Sequence, residues 1–229
     1  MDKFGNITRF KIHDLVHDLA QSIMEEECHC IKDDAGATNL SVRTRHLSFY
    51  GSEGFFGRDS IHLQQVKSSK TYFTGIQYDD HLTLNDLLKC HSLRVLSLMS
   101  QGMLSSSIGH LKHLRSLFIL APEMGELTSL RTLNIYIVLD KKGFLLEELG
   151  SLNLKGELYI KHLERVTSVM DAKEANLAAK NLNDFGLSWE RNEGSRSQKN
   201  VEQILEELQP HAQLKTLIVT GYMGVQFPK

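Results

Sequence analysis

Little in this 229-residue sequence is in excess: net charge is -2, cysteine occurs three times, and no apolar run approaches 18 residues. Without a strongly basic field there is no surface to neutralise phosphates, so nucleic-acid binding is not expected. The opening MDKFGNITRFKIHDL lacks an apolar core of signal-peptide length, which leaves secretion and membrane spanning unsupported. Cys28, Cys30 and Cys90 are odd in number and unevenly spread, so reduced intracellular thiols are the simpler reading. The glycine-rich GSEGFFGRDS (51–60) has neither the G-x-G-x-x-G nor the G-x-x-x-x-G-K pattern and reads as a loop. No serine, cysteine or carboxylate constellation stands out either. The chain is not expected to be an enzyme.

What the sequence does have is a recurring phrase, Leu-x-x-Leu-x-Leu. It reads LRVLSL at 93–98, LRSLFI at 114–119, LRTLNI at 130–135, LNDFGL at 182–187 and LKTLIV at 214–219, with the relative LKGELYI at 154–160. One such strand cannot bury its apolar face alone, whereas stacked neighbours share a continuous core. The expected fold is therefore α/β, a leucine-rich-repeat solenoid with an irregular, curved parallel sheet on its concave face. Between the middle positions Leu96, Leu117, Leu133, Leu158, Phe185 and Leu217 the steps are 21, 16, 25, 27 and 32 residues. The usual repeat is about 20 to 29 residues, so one coil is short and one carries an insertion. SSIGHLKHLRSL and PEMGELTSLRTL share one grammar, with Ile108, Leu111 and Leu114 matching Met124, Leu127 and Leu130.

Ahead of the repeats, 10–27 places Ile12, Leu15, Val16, Leu19 and Ile23 at helical spacing, which predicts an amphipathic helix with an apolar stripe to cover. His13 and His17 lie four apart, but Cys28, His29 and Cys30 have the wrong spacing to complete a zinc site, and no metal is expected. Residues 28–37 read as polar loop, 42–50 as a strand with Leu47 and Phe49 inward, 69–75 as an irregular strand and 82–90 as a short helix. Further on, 169–180 predicts a helix, as does 200–209, where Asn200 can cap, Gln203 holds the capping-box position and Val201, Ile204, Leu205 and Leu208 face inward. RNEGSRSQK (191–199) has no apolar residue and reads as a mobile surface loop.

Longer phrases are more distinctive than leucine spacing. FKIHDLVHDLAQSI, RTRHLSF, SSIGHLKHLRSL, LNLKGELYIKHLERV, DAKEANL, LSWERNE and NVEQILEELQPHAQLKTLIVTGY closely resemble the coiled-coil type of plant nucleotide-binding leucine-rich-repeat (NB-ARC-LRR) disease-resistance proteins. The resemblance implies that 1–36 is the helical end of a winged-helix, nucleotide-binding region with its linker. It also implies that 37–229 is a leucine-rich-repeat domain, incomplete at its C-terminus. The family's Met-His-Asp motif falls on Ile12, His13 and Asp14; there the histidine helps hold ADP and the aspartate helps fix the local domain arrangement. ADP or ATP would belong to a full-length parent, with no cofactor in this chain. Where relatives carry further repeats, this chain passes directly from LRSLFIL to APEMGELTSL, which suggests a deletion near 118–124, a divergent paralogue or a faulty gene model.

The function implied is that of a cytoplasmic plant immune receptor fragment, whose concave face recognises a pathogen effector or guarded host protein and which contacts the nucleotide-binding domain of its own chain. The alternative is a generic leucine-rich-repeat scaffold, adaptor or decoy without immune switching. With leucines inward, Ser97, Met99, Phe118, Leu120, Asn134, Tyr136, Tyr159, Lys161, Ser188 and Thr220 are expected outward. Phe118, Tyr136 and Tyr159 are the expected anchors, since aromatic groups hold interfaces at modest entropic cost.

Overall fold

A computed structural model describes residues 13–31, 40–49, 68–74, 90–98, 108–118, 121–190 and 200–227. The expectations for Phe10 and Ile12, the 51–60 loop, most of the 82–90 helix, Met99, Leu120 and the 191–199 loop lie outside these residues, as do the side chains of Phe49 and Leu98.

Among the described residues ten strands run in chain order: β1 (Cys28–Ile31), β2 (His46–Phe49), β3 (Thr71–Thr74), β4 (Val95–Leu98), β5 (Ser116–Phe118), β6 (Thr132–Leu133), β7 (Ile135–Ile137), β8 (Lys155–Lys161), β9 (Asn181–Ser188) and β10 (Thr216–Thr220). Strands β1 to β6 form one sheet in sequential order and β7 to β10 a second. Every pairing is parallel. Sequential order with parallel pairing is the strand arrangement of the solenoid expected from the repeated phrase.

The phrase sets which side chains lie inside. Leu47, Tyr72, Leu96, Leu117 and Leu133 stand in one register across β2 to β6, and all are buried. Behind them Leu93, Leu114 and Leu130 close the start of each strand, while Ile108, Leu111, Met124 and Leu127 fill the return turns. Each fully buried side chain of this size contributes about 1.5–3 kcal/mol, and none could do so without the neighbouring coil. The shared grammar of the two short coils is thus a shared set of core positions.

The 16-residue step closes over, at a cost in strand length. Between β5 and β6 only Ser116↔Thr132 and Leu117↔Leu133 pair, and β6 is two residues long. The return turn is tight: Glu123 takes φ 57, its N–H donates to Gly143 O at 2.9 Å, and a single 3-10 turn, Met124–Glu126, follows. At Asn134 the chain bends and the alternation slips, so that Leu133 and Tyr136 both point inward with Ile135 outward between them. The stack nevertheless continues, because Lys155 N–H donates to Arg131 O and Tyr159 N–H to Asn134 O, both at 2.8 Å.

Longer coils follow. Helix α1 (Asp14–Met24) precedes the repeats, and α2 (Val169–Glu174) and α3 (Val201–Glu207) pack together behind the second sheet. Ser168 caps α2, its Oγ accepting from Met170 N–H and Asp171 N–H. The helix expected over 169–180 stops early because Asn176 turns left-handed at φ 48, and Leu177–Ala179 continues as a 3-10 turn that seats Leu177 in the core. The inward set of α3 is as expected, with Val201, Ile204, Leu205 and Leu208 buried. Asn200 does precede the helix but makes no side-chain cap bond. The expected loop at 28–37 begins instead with strand β1, since main-chain pairing to β2 and burial of Ile31 need only one apolar residue from an otherwise polar segment.

Candidate functional site

On the side of the sheet opposite the leucines, the registers of β7 to β10 line up three rows. Glu157, Asp184 and Thr216 form one; Ile135, Tyr159, Gly186 and Ile218 the next; and Lys161 stands beside Ile137, with Ser188 beside Thr220, in the third. A bulge at Gly156 and Glu157, with Gly156 at φ 87, sets the register of the first row. The middle row is apolar and open to solvent, with Ile135 45% and Ile218 42% exposed. Tyr159 lies across Gly186: a Cβ on that glycine would fall 2.2 Å from Tyr159 Cδ1. Glycine therefore leaves room for the ring between the two isoleucines.

In the first sheet the corresponding face carries Ser48, Phe73, Ser97 and Phe118 in one register. Phe118 is 40% exposed, whereas Ser97 is nearly covered. Cys28, His46, Thr71 and Phe73 help line a shallow depression of about 290 Å³ at the start of this sheet, where His46 Nδ1 and Thr71 Oγ1 share a 3.1 Å hydrogen bond. Burial and the neighbouring Glu27 push the Cys28 thiol pKa up, away from thiolate chemistry. Among the described residues no group of three or more His, Cys, Asp or Glu side chains is arranged to hold a metal ion.

Of the expected anchors, Phe118 and Tyr159 are on this face and Tyr136 is not. Tyr136 is fully buried and its hydroxyl donates to Leu145 O at 2.6 Å. Burial first, then Glu148 and Glu147, drive its pKa up. The slip at Asn134 causes the difference by exchanging the positions of Ile135 and Tyr136. Lys161 and Thr220 are exposed, and Asn134 and Ser188 half-buried. Ile135, Ile218, Glu157 and Asp184 were missed. Counting outward from Leu158 in KGELYIK would have found Glu157, but no local signal marks the bend that turns Ile135 out.

Beyond Lys161, His162 is left-handed at φ 63 and its Nδ1 lies 2.9 Å from Glu164 Oε1. Burial pushes the Glu164 carboxyl up, but hydrogen bonds from Glu190 N–H and His162 outweigh it and hold the group below the usual range. This cluster ties the end of β8 to the end of β9.

At the other end of the chain, His13 is the N-cap of α1, its Nδ1 accepting from Leu15 N–H at 3.3 Å, and Asp14 sits in the first turn. Both are exposed. No residue of α1 is buried: Leu15, Val16, Leu19 and Ile23 are 73%, 56%, 60% and 72% exposed, and an open groove of about 590 Å³ lies along the helix toward Cys28.

Parallel strands in sequential order, backed by short turns and carrying an inward leucine register, define a leucine-rich-repeat protein. Residues 146–229 match the family model described as R13L1/DRL21 LRRs. The chain is 34% identical over 263 aligned positions, covering 99% of it, to the putative disease resistance protein RGA4 of Solanum bulbocastanum, and 31% identical over 279 positions to RGA1 of the same species. Disease resistance protein RGA2, also of Solanum bulbocastanum, is 47% identical over 107 residues, 46% of the chain and 11% of RGA2. Nearly the whole chain is thus homologous to a stretch of plant disease resistance proteins, and its C-terminal part matches a leucine-rich-repeat family. It spans about a quarter of the length of RGA4 and RGA1, 26% of each. Both alignments exceed the chain's 229 residues, so these relatives carry segments that it lacks; the short coil between β5 and β6 is where its own geometry is contracted.

Proposed function

We propose that this chain is the non-catalytic recognition and restraining region of a cytoplasmic plant immune receptor. Its open sheet face, the concave side of the solenoid, takes a pathogen effector or a guarded host protein, and α1 seats on the nucleotide-binding domain of the full-length parent. The observation that carries this reading is the open row of Ile135, Tyr159 and Ile218, large apolar groups aligned on a sheet whose opposite face is already filled. Large exposed apolar groups aligned on a rigid element are what an interface core requires. For α1 the support is its uncovered stripe, where each large side chain left in water forgoes about 1.5–3 kcal/mol. In the parent, His13 and Asp14 would stand beside ADP or ATP. In this chain His13 caps a helix, and Asp14 stands in its first turn.

Complementation tests the reading. A full-length relative whose own repeats are replaced by residues 37–229 should regain a recognition-dependent cell-death response, and Ile135→Ala with Tyr159→Ala should abolish it while protein levels hold. A response unaltered by the pair would refute recognition on this face. Hydrogen exchange on α1, faster in the isolated chain than with a nucleotide-binding domain upstream, is the expected mark of the second contact; equal and strong protection in both would place α1 with the repeats alone.

A further inference from the structure

The three rows of the second sheet differ in chemistry in a way that specifies the occupant. Glu157 and Asp184 are register neighbours on adjacent strands, about 4.8 Å apart along the ladder, and both project from the open face. Neither has an ion-pair partner among the described residues. Like charges directly abreast on a sheet repel, and a cation placed over both relieves that repulsion. One strand step further along, about 6.6 Å away, lies the apolar row with Tyr159 close against Gly186. One more such step brings Lys161, Ser188 and Thr220. The face thus runs from acidic, through apolar, to basic and hydroxyl.

We infer that this face takes an extended protein segment of five residues aligned with the strands: a Lys or Arg over Glu157 and Asp184, a large aliphatic or aromatic residue two positions on against Tyr159, Ile135 and Ile218, and an acidic residue two further on facing Lys161. The spacing follows from the geometry, because alternate residues of an extended segment repeat at the same distance as the rows. Charge complementarity at the two ends fixes polarity and register, while the apolar centre supplies most of the affinity. This assignment rests on the open face being the recognition surface and adds what it recognises.

The test uses the full chain and a displayed library of random twelve-residue peptides, and the peptides recovered are then assayed on the Glu157→Gln, Asp184→Asn double variant. That pair removes charge without changing shape. Enriched peptides should carry the pattern basic, any, large apolar, any, acidic. The best of them, made synthetically, should bind the double variant about fivefold more weakly, with the difference fading in high salt. Tyr159→Ala should weaken it about thirtyfold. Ile218→Asp, at an exposed position, serves the same purpose should Tyr159→Ala prove unfolded by circular dichroism. Peptides that lose binding on Tyr159→Ala or Ile218→Asp but lack a basic residue and ignore the double variant would overturn the charge assignment and leave the open face as the recognition surface. No enrichment, or peptides indifferent to all of these variants, would overturn both.

Discussion

The two sheets are made from the same phrase and differ in what lies behind it. In the first, strands are two to four residues long and the described returns are tight turns; in the second, β8 and β9 reach seven and eight residues and two helices pack behind. Coil length sets the extreme of that difference, although coils of 25 and 24 residues between Leu47, Tyr72 and Leu96 carry strands of only four residues. A coil of 16 residues spends nearly all of its chain turning round and leaves two residues to pair, whereas 25 to 32 residues allow both a long strand and a helix. Conserving the leucine register keeps the stack continuous through both, since each coil needs to match only its neighbours. The open face follows suit: in the second sheet it has three well-formed rows, in the first a narrower strip in which Ser97 is nearly covered.

The comparison can be broken most forcefully at the short coil. Leu117→Ala removes a fully buried side chain whose neighbours Leu96 and Leu133 stand in register with it, at an expected cost of about 2–5 kcal/mol. Because interactions are nearest-neighbour, hydrogen exchange should accelerate in β4 to β6 well before β8 and β9. Uniform acceleration would mean that the two sheets unfold as one unit.

A smaller effect, confined to the second sheet, is expected from Lys180. Its Nζ is buried and donates to Leu149 O at 2.6 Å and Leu152 O at 2.7 Å, joining two successive coils. Lys180→Met should cost about 2–3 kcal/mol in urea unfolding by leaving two carbonyls without a donor. Burial lowers the lysine pKa from 10.5 to about 8. The unfolded chain then holds the proton more tightly, so between pH 8 and 10.5 this group should make stability rise with pH, a contribution absent from Lys180→Met. A neutral amine retains two donors, enough for both carbonyls.

Tyr136→Phe sharpens the boundary itself, since it deletes only the bond to Leu145 O beside the bend at Asn134; about 1 kcal/mol is expected from thermal unfolding. Smallest of all should be Lys112→Ala. That side chain meets Glu126 at 3.1 Å across the short coil, but both groups are more than half exposed. A change above about 1 kcal/mol would show that the contracted coil leans on this ion pair far more than its exposure implies.

The sequence by itself determined the solenoid, because the phrase repeats wherever a coil must bury leucine, and burial is a local decision once neighbours exist. Leu96, Leu117 and Leu158 were legible for that reason, as was the inward face of α3. Phe118 and Tyr159 were legible by strict alternation from those leucines. Tertiary structure alone decided three things. Leu217 is 51% exposed although it shares a register with Phe185, because β10 is at the edge of its sheet and only one neighbour lies against it. Strand β1 forms from a segment with one buried apolar residue because β2 offers its main chain for pairing. Tyr136 goes in and Ile135 out because the contracted coil and the β8 register meet at Asn134. Alternation is a property of an unbroken strand, and where two strands join at a bend the packing on either side, not the period, chooses which side chain faces the core.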